Sequence, residues 1–253
     1  MNRTTALTIT LLLIAAAACS PAPTAAPQAT QPPPTPTQQP TSTAVPTHTP
    51  TPPPTHTPIP TPTQPPLPDP LPLEGTGENV VDLDWPCGTP GLLHIIGNQE
   101  SRHFAVESLD AVGDTVELLV NTTDPYDGWR TLNWTDECAV RLHIKAAGPW
   151  TATLYPIAPL PEIQPHALTL PATYAGTGDD VIILTQGTPD LATITGNDNS
   201  RYFGVFAWIG SRSSDSILIN TTDPYQGTIP LKPDTFALEI RASGPWTIDI
   251  TAK

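Results

Sequence analysis

The run Asn121-Thr122-Thr123-Asp124-Pro125-Tyr126 returns unchanged as Asn220 to Tyr225, and this duplication constrains the fold more than any other feature of the chain. Other pieces recur with it. Gly75-Thr76-Gly77 reappears as Gly176-Thr177-Gly178, and Gly148-Pro149-Trp150-Thr151 as Gly244-Pro245-Trp246-Thr247. Gly97-Asn98 with Ser101, Arg102 and Phe104 matches Gly196-Asn197 with Ser200, Arg201 and Phe203. From Gly88 to Gly128 the two copies keep a constant offset of 99. That period is too long for a solenoid unit, so each copy is expected to be a domain. Within each, apolar residues alternate, as in Phe104/Val106, Leu142/Ile144, Phe203/Val205, Leu238/Ile240 and Trp246/Ile248/Ile250. Gly, Asn, Asp and Pro separate such runs at roughly 8–12-residue spacing, the pattern of a small sandwich or barrel with about seven strands. The expectation is all-β: two tandem small β-sandwich domains following a disordered Pro/Thr-rich stalk.

The N-terminus has the layout of a secretion signal over residues 1–18. Arg3 supplies its positive charge, and an uncharged run from Ala6 to Ala18 follows. As a helix that run covers about 20 Å, short of the ~30 Å hydrocarbon core. It ends Ala16-Ala17-Ala18-Cys19, which resembles the lipobox of bacterial lipoproteins, with Ala16 where leucine is commonest. The resemblance implies cleavage before Cys19 and a diacylglyceryl group on its thiol. It also implies a protein lipid-anchored on the extracytoplasmic side of a bacterial membrane, needing no other cofactor. Ser20 is unlike the aspartate that retains such proteins at an inner membrane, which points outward.

Residues 19–73 are proline- and threonine-rich and contain no aromatic residue. They cannot bury apolar surface to offset ordering entropy, and their prolines favour extended polyproline II. The expected boundaries are then 74–156 for the first copy, 157–172 for a proline-rich joint and 173–253 for the second copy. The two copies resemble the small β-sandwich modules appended to many bacterial surface proteins. A formal charge of −14 repels phosphate backbones and argues against a nucleic-acid partner.

Residues present in both copies read first as fold determinants. In Asp124-Pro125-Tyr126-Asp127-Gly128 the aspartate can cap turn amides, the proline presets φ and the glycine can accept a left-handed position. Asp223-Pro224-Tyr225-Gln226-Gly227 repeats that chemistry, and Gln226 in place of Asp127 leaves too few oxygens for calcium. The motif reads as a turn, and no metal site is expected. Arg102 and Arg201 are expected to pair internally with Glu78 and Asp179. No histidine recurs, so no shared catalytic residue is assigned: His94, His103 and His143 stand opposite Thr193, Tyr202 and Glu239.

Differences between the copies are more informative. Copy one carries insertions around Trp85-Pro86-Cys87 and within Trp129 to Glu137, and copy two has neither. With Cys19 consumed by lipid, the even remainder in an oxidising compartment suggests a Cys87–Cys138 disulfide. Trp85, Trp129 and Trp134 either cover that bridge or, at Trp129 and Trp134, offer a stacking platform with at least one ring more than a third exposed. In copy two, Phe206 and Trp208 alternate out of phase with the core residues Phe203 and Val205. Either they pack on copy one, or they expose an apolar patch to a partner.

The function these features suggest is a non-enzymatic envelope protein whose tandem sandwiches bind or present an envelope component, a glycan or a protein. An envelope hydrolase working through paired carboxylates and a purely structural spacer are the alternatives.

Overall fold

The computed structural model describes residues 66–158, 160–210 and 214–253. The expected signal sequence, Cys19 and the expected stalk as far as residue 65 lie outside the described residues. Copy one contributes β1 (Leu71–Thr76), β2 (Asn79–Asp82), β3 (Gly91–Gly97), β4 (Phe104–Leu109), β5 (Thr115–Thr122), β6 (Tyr126–Leu132), β7 (Arg141–Lys145) and β8 (Pro149–Pro156). A single 3-10 turn, Gln164–His166, leads into β9 (Ala167–Thr169). Copy two follows as β10 (Ala172–Thr177), β11 (Asp180–Gln186), β12 (Pro189–Gly196), β13 (Phe203–Ile209), β14 (Ser214–Thr221), β15 (Tyr225–Pro230), β16 (Thr235–Ala242) and β17 (Pro245–Ala252). Among the described residues the fold is all-β, as the alternation predicts.

Each copy is a two-sheet sandwich of eight strands, ordered β1-β8-β3-β6 and β2-β7-β4-β5 in copy one. Copy two repeats this as β10-β17-β12-β15 and β14-β13-β16-β11, with β9 added parallel to β11. This is the jelly-roll order, in which neighbours in sequence often lie in opposite sheets. Gly-Pro-Trp is therefore a corner between sheets rather than a hairpin, since β7 and β8 belong to different ones. Its tryptophan turns inward as expected: Trp150 and Trp246 are buried.

Two boundaries differ from expectation. β1 begins at Leu71, inside the span assigned to the stalk, because Leu71 and Leu73 pack on the core while β1 pairs with β8. The joint is also not a free linker. Ile163 and Leu170 are buried within it, and β9 extends a sheet of copy two.

The recurring motifs are staples of this fold. Tyr126 and Tyr225 fold their rings over the glycine two residues on, so a Cβ at Gly128 or Gly227 would lie 2.8 or 2.6 Å from the ring or its hydroxyl. Both glycines have ordinary negative φ; the left-handed rationale fails, and space for the ring replaces it. Likewise a Cβ on Gly75 or Gly176 would meet Trp150 at 2.4 Å or Trp246 at 2.3 Å. Buried Asn98 and Asn197 each donate from Nδ2 to the carbonyl of the turn aspartate, Asp124 at 2.8 Å and Asp223 at 2.9 Å. Turn capping falls to Thr122 and Thr221, whose hydroxyls accept from the Asp124 and Asp223 amides at 3.0 Å.

The disulfide forms between Cys87 and Cys138, with Cα atoms 5.4 Å apart. The three tryptophans do not gather over it. Trp85 joins the core of copy one, whereas Trp134 and Trp129 join a separate apolar cluster shared with copy two.

Candidate functional site: a seam and cleft between the copies

That shared cluster follows from strand alternation in copy two. Val205 and Ala207 point into the copy-two core, so Phe206 and Trp208 on β13, Val181 and Ile183 on β11, and Ala237 and Glu239 on β16 line the other face. In copy one the matching face carries Val80, Asp82, Glu107, Leu109, Arg141 and His143. There Arg141 pairs with Asp82, and Glu107 with Lys145 and His143. Lys145 draws the Glu107 carboxyl below its usual range, chiefly by hydrogen bonding. Copy two has replaced that polar face with an apolar one and laid it on copy one.

Trp134 and Trp208 meet edge-on at 5.2 Å, and Trp134 stacks on Phe236 at 5.3 Å. Trp134, Phe206 and Trp208 are at most 8% exposed, so they are seam residues and not a surface for a partner. Trp129 is half-buried, with the His94 ring stacked on it at 4.4 Å and His166 at 4.5 Å. Its backbone N–H donates to the Asp179 carbonyl at 3.0 Å, tying β6 to the start of β11.

Beside the apolar cluster lies a buried charge network. Arg130, 3% exposed, donates from Nε to Glu239 Oε1 at 2.9 Å and from Nη2 to Glu117 Oε1 at 3.0 Å, while Nη1 donates to the Leu119 carbonyl. Glu239, fully buried, also accepts from Thr131 Oγ1 at 2.5 Å and from Arg241 Nε at 2.9 Å. Arg241 reaches Glu117 at 2.6 Å and lies over the Phe206 ring at 4.4 Å. Asp179 sits 3.7 Å from Arg130 and accepts from the Tyr126 hydroxyl and the Ala242 amide. Burial pushes the Asp179 carboxyl up despite Arg130. For Glu239, burial also pushes upward, but Arg130, Arg241 and Thr131 outweigh it and hold the group below its usual range.

Asp179 is therefore not the partner of Arg201, as expected from sequence. Arg201 instead reaches the Asp124 carboxylate of copy one at 2.5 Å. The first Asp-Pro-Tyr turn thus contributes to the seam, with its aspartate paired across it rather than capping its own turn.

The network forms one wall of a cleft of about 790 Å³. Leu118, Asp124, Tyr126, Asp127 and Trp129 line it from copy one, His166 from the joint, and Asp179, Asp180, Tyr202 and Arg241 from copy two. Tyr202 is 41% exposed. His166 is 7% exposed, with Asp180 2.8 Å from Nδ1 but out of line for a hydrogen bond. Asp180 in turn accepts from the Tyr174 hydroxyl and from the Val181 amide. Among the described residues no group of three or more potential metal ligands converges.

Of the residues singled out from sequence, the structure brings Asp124, Pro125, Tyr126 and Trp129 to this cleft. It places Trp134, Phe206 and Trp208 in the seam. Asp223, Pro224, Tyr225 and Gly227 lie away from the cleft, in the matching turn of copy two. Sequence reasoning gave no role to Arg130, His166, Tyr202 or Arg241, and named Asp179 only as a partner for Arg201. One signal was available, since Arg130 stands opposite Ile229 and Glu239 opposite His143, and such differences mark where the copies meet.

No family model matches the chain, and no curated protein matches it. Among solved structures, a likeness is found to the M60 catalytic domain with the CBM51-1 and CBM51-2 domains of ZmpB from Clostridium perfringens, at 7% identity and a TM-score of 0.24. It covers 73% of this chain and 34% of that one, so this chain spans about a third of that structure's length. A likeness at that score bears on neither the fold nor the function of this chain.

Proposed function

We propose that this chain is a lipid-anchored, non-enzymatic protein of the bacterial cell envelope that binds an envelope component in the cleft between its two copies. The observation that carries the reading is that the cleft gathers, around the Asp-Pro-Tyr turn of copy one, the side chains of Trp129, Arg130, His166 and Tyr202, none of which the other copy repeats. Its pocket size suits a small ligand or a short stretch of polymer, and its lining mixes rings with convergent polar groups.

Binding is favoured over hydrolysis by the state of the carboxylates. Asp124, Asp127, Asp179 and Asp180 each have a cationic or imidazole neighbour, from Arg201, His94, Arg130 and His166 respectively. Each carboxylate is thus engaged within the protein, whereas a two-carboxylate glycosidase turns one carboxyl as acid and a second as base or nucleophile toward opposite sides of the scissile bond. The anchor rests on the lipobox resemblance at Cys19, and the stalk would carry the body away from the bilayer.

The test has two arms. Cell-wall fragments and glycan arrays are probed with the full chain and with Tyr202→Ala, whose exposed ring is expected to support binding; retained binding by the variant counts against the cleft. In cells, Cys19→Ala should release the protein from the membrane fraction or leave it unprocessed. A mature N-terminus other than Cys19 would overturn the anchor.

A further inference from the structure

The run Asn-Thr-Thr-Asp-Pro-Tyr is unchanged between the copies, yet its surroundings are not. Of the six residues before it, Thr115 to Val120 against Ser214 to Ile219, only Leu119 and Leu218 match, and of the five after it only Gly128 and Gly227. The fold accounts for four of its six positions. The Thr122 and Thr221 hydroxyls cap the turn, and the Asp124 and Asp223 carbonyls accept from buried asparagines. The prolines fix φ, and the Tyr126 and Tyr225 rings cover a glycine. Asn121 with Thr123, and Asn220 with Thr222, are left over. All four side chains are exposed and form no hydrogen bond among the described residues. Substitution is cheapest at exposed, unbonded positions, so their identity in both copies asks for a reason outside the fold.

That pair has a chemistry of its own: Asn-x-Thr, with x other than proline, is the acceptor sequence for N-linked glycosylation. We propose that Asn121 and Asn220 are glycan attachment sites, one in each copy. In the transfer, the side-chain Nδ2 forms a bond to the anomeric carbon of a sugar held by a phosphate-activated donor. The bond from that carbon to the donor's phosphate oxygen breaks, the phosphate leaves with the electron pair, and Nδ2 loses one proton. The placement suits an enzyme approaching from solvent. β5 and β14 are the outermost strands of their sheets, and each asparagine stands one residue before the end of its strand.

A third instance of the pattern shows what the structure excludes. Asn133-Trp134-Thr135 has the same spacing, but Asn133 is buried and Ala139 engages its amide twice. Its Oδ1 accepts from the Ala139 N–H at 2.8 Å, and its Nδ2 donates to the Ala139 carbonyl at 3.2 Å. Asn2-Arg3-Thr4, the remaining instance, lies outside the described residues.

The attached sugars would have a local task. Leu118 and Ile217, at matching positions on those same edge strands, are 45% and 60% exposed. An apolar side chain on an open strand edge invites pairing with another chain, and a bulky hydrated group beside it blocks that approach. In copy one the edge also borders the cleft, so the Asn121 glycan would stand at its rim.

Peptide mapping by mass spectrometry, on the full chain from the cells in which it naturally occurs, should find sugar on Asn121 and Asn220 and none on Asn133. Asn121→Gln and Asn220→Gln should each remove one glycan mass while the melting temperature stays close to the parent's. Thr123→Ala should strip the sugar from an intact Asn121, and Thr123→Ser should keep it, a pattern that a structural role would not produce. Sugar on chains still carrying residues 1–18 would assign a nucleotide-linked donor, and sugar confined to processed chains a lipid-linked one; either result upholds the acceptor assignment. A bare peptide at one asparagine would overturn the assignment there. Bare peptides at both, sugar on Asn133, or sugar that survives Thr123→Ala would overturn the proposal. In sedimentation, Asn121→Gln with Asn220→Gln should self-associate more than the parent, and equal behaviour would overturn the shielding role.

Discussion

At the scale of single residues, one rule separates structure from specialisation. Positions identical in both copies hold the jelly roll together: a glycine under a ring, an asparagine pinning a turn, a threonine capping an amide. Positions that differ build most of the seam, where the shared Asp124, Tyr126 and Arg201 also bond across, and Arg130 with Glu239 is its most demanding pair. Burying both ions is costly, so the pair need not stabilise the body relative to well-packed apolar residues. Breaking it is another matter. Arg130→Met leaves fully buried Glu239 facing only Arg241 and Thr131, and should cost about 3–5 kcal/mol in urea unfolding. The double variant Arg130→Met with Glu239→Leu should recover most of that loss. A double variant as unstable as the single would show that packing, not the orphaned charge, sets the cost.

At the scale of elements, the insertions of copy one contribute in two ways. They place the disulfide across 51 residues of sequence, and they deliver Trp134 to the partner copy. Closing a loop of that length should contribute about 4 kcal/mol through the unfolded state. Cys87→Ser with Cys138→Ser is therefore expected to lower unfolding stability by an amount of that order while leaving the near-ultraviolet signal of the seam tryptophans in place. Loss of that signal in the folded double variant would mean that the bridge also orders the seam. The segment that reads in sequence as a proline-rich joint carries a 3-10 turn that places His166 in the cleft, and its β9 joins a sheet of copy two. Proline content reads as looseness in sequence; Ile163 and Leu170 anchor the segment by burial instead.

At the scale of the whole described body, the seam is a one-way contact. A face of copy two meets the side of copy one, and the matching surfaces at the far ends lack its chemistry, with Ile229 where Arg130 stands and His143 where Glu239 stands. Its charges make stability depend on pH in a definite sense. The Asp179 carboxyl, raised by burial, favours the folded body at low pH, and that contribution is lost as pH rises through its folded value. Glu239, held low by its arginines against the push of burial, contributes above the ordinary carboxylate range and loses that contribution as pH falls through its depressed value. Melting temperature should therefore peak at mildly acidic pH, somewhat above the ordinary carboxylate value of about 4, and fall on both sides. Asp179→Asn should flatten the fall on the alkaline side. An unchanged profile in that variant would remove Asp179 from the account.

The duplication, the alternation and the turn chemistry were all legible in sequence because they are local or periodic. A strand's inward face shows as a period of two, and comparing two copies cancels everything except what each copy does alone. By that comparison Phe206, Trp208, Trp134 and both cysteines stood out before any fold was known. Their destination could not be read. Whether Phe206 and Trp208 meet solvent or copy one depends on which surfaces close over each other, a property of residues more than a hundred positions apart, such as Arg130 and Glu239. The cleft belongs to the same class: Asp124, His166 and Tyr202 come from three stretches of chain with no common spacing, and only the docking of the two sandwiches brings them around one space.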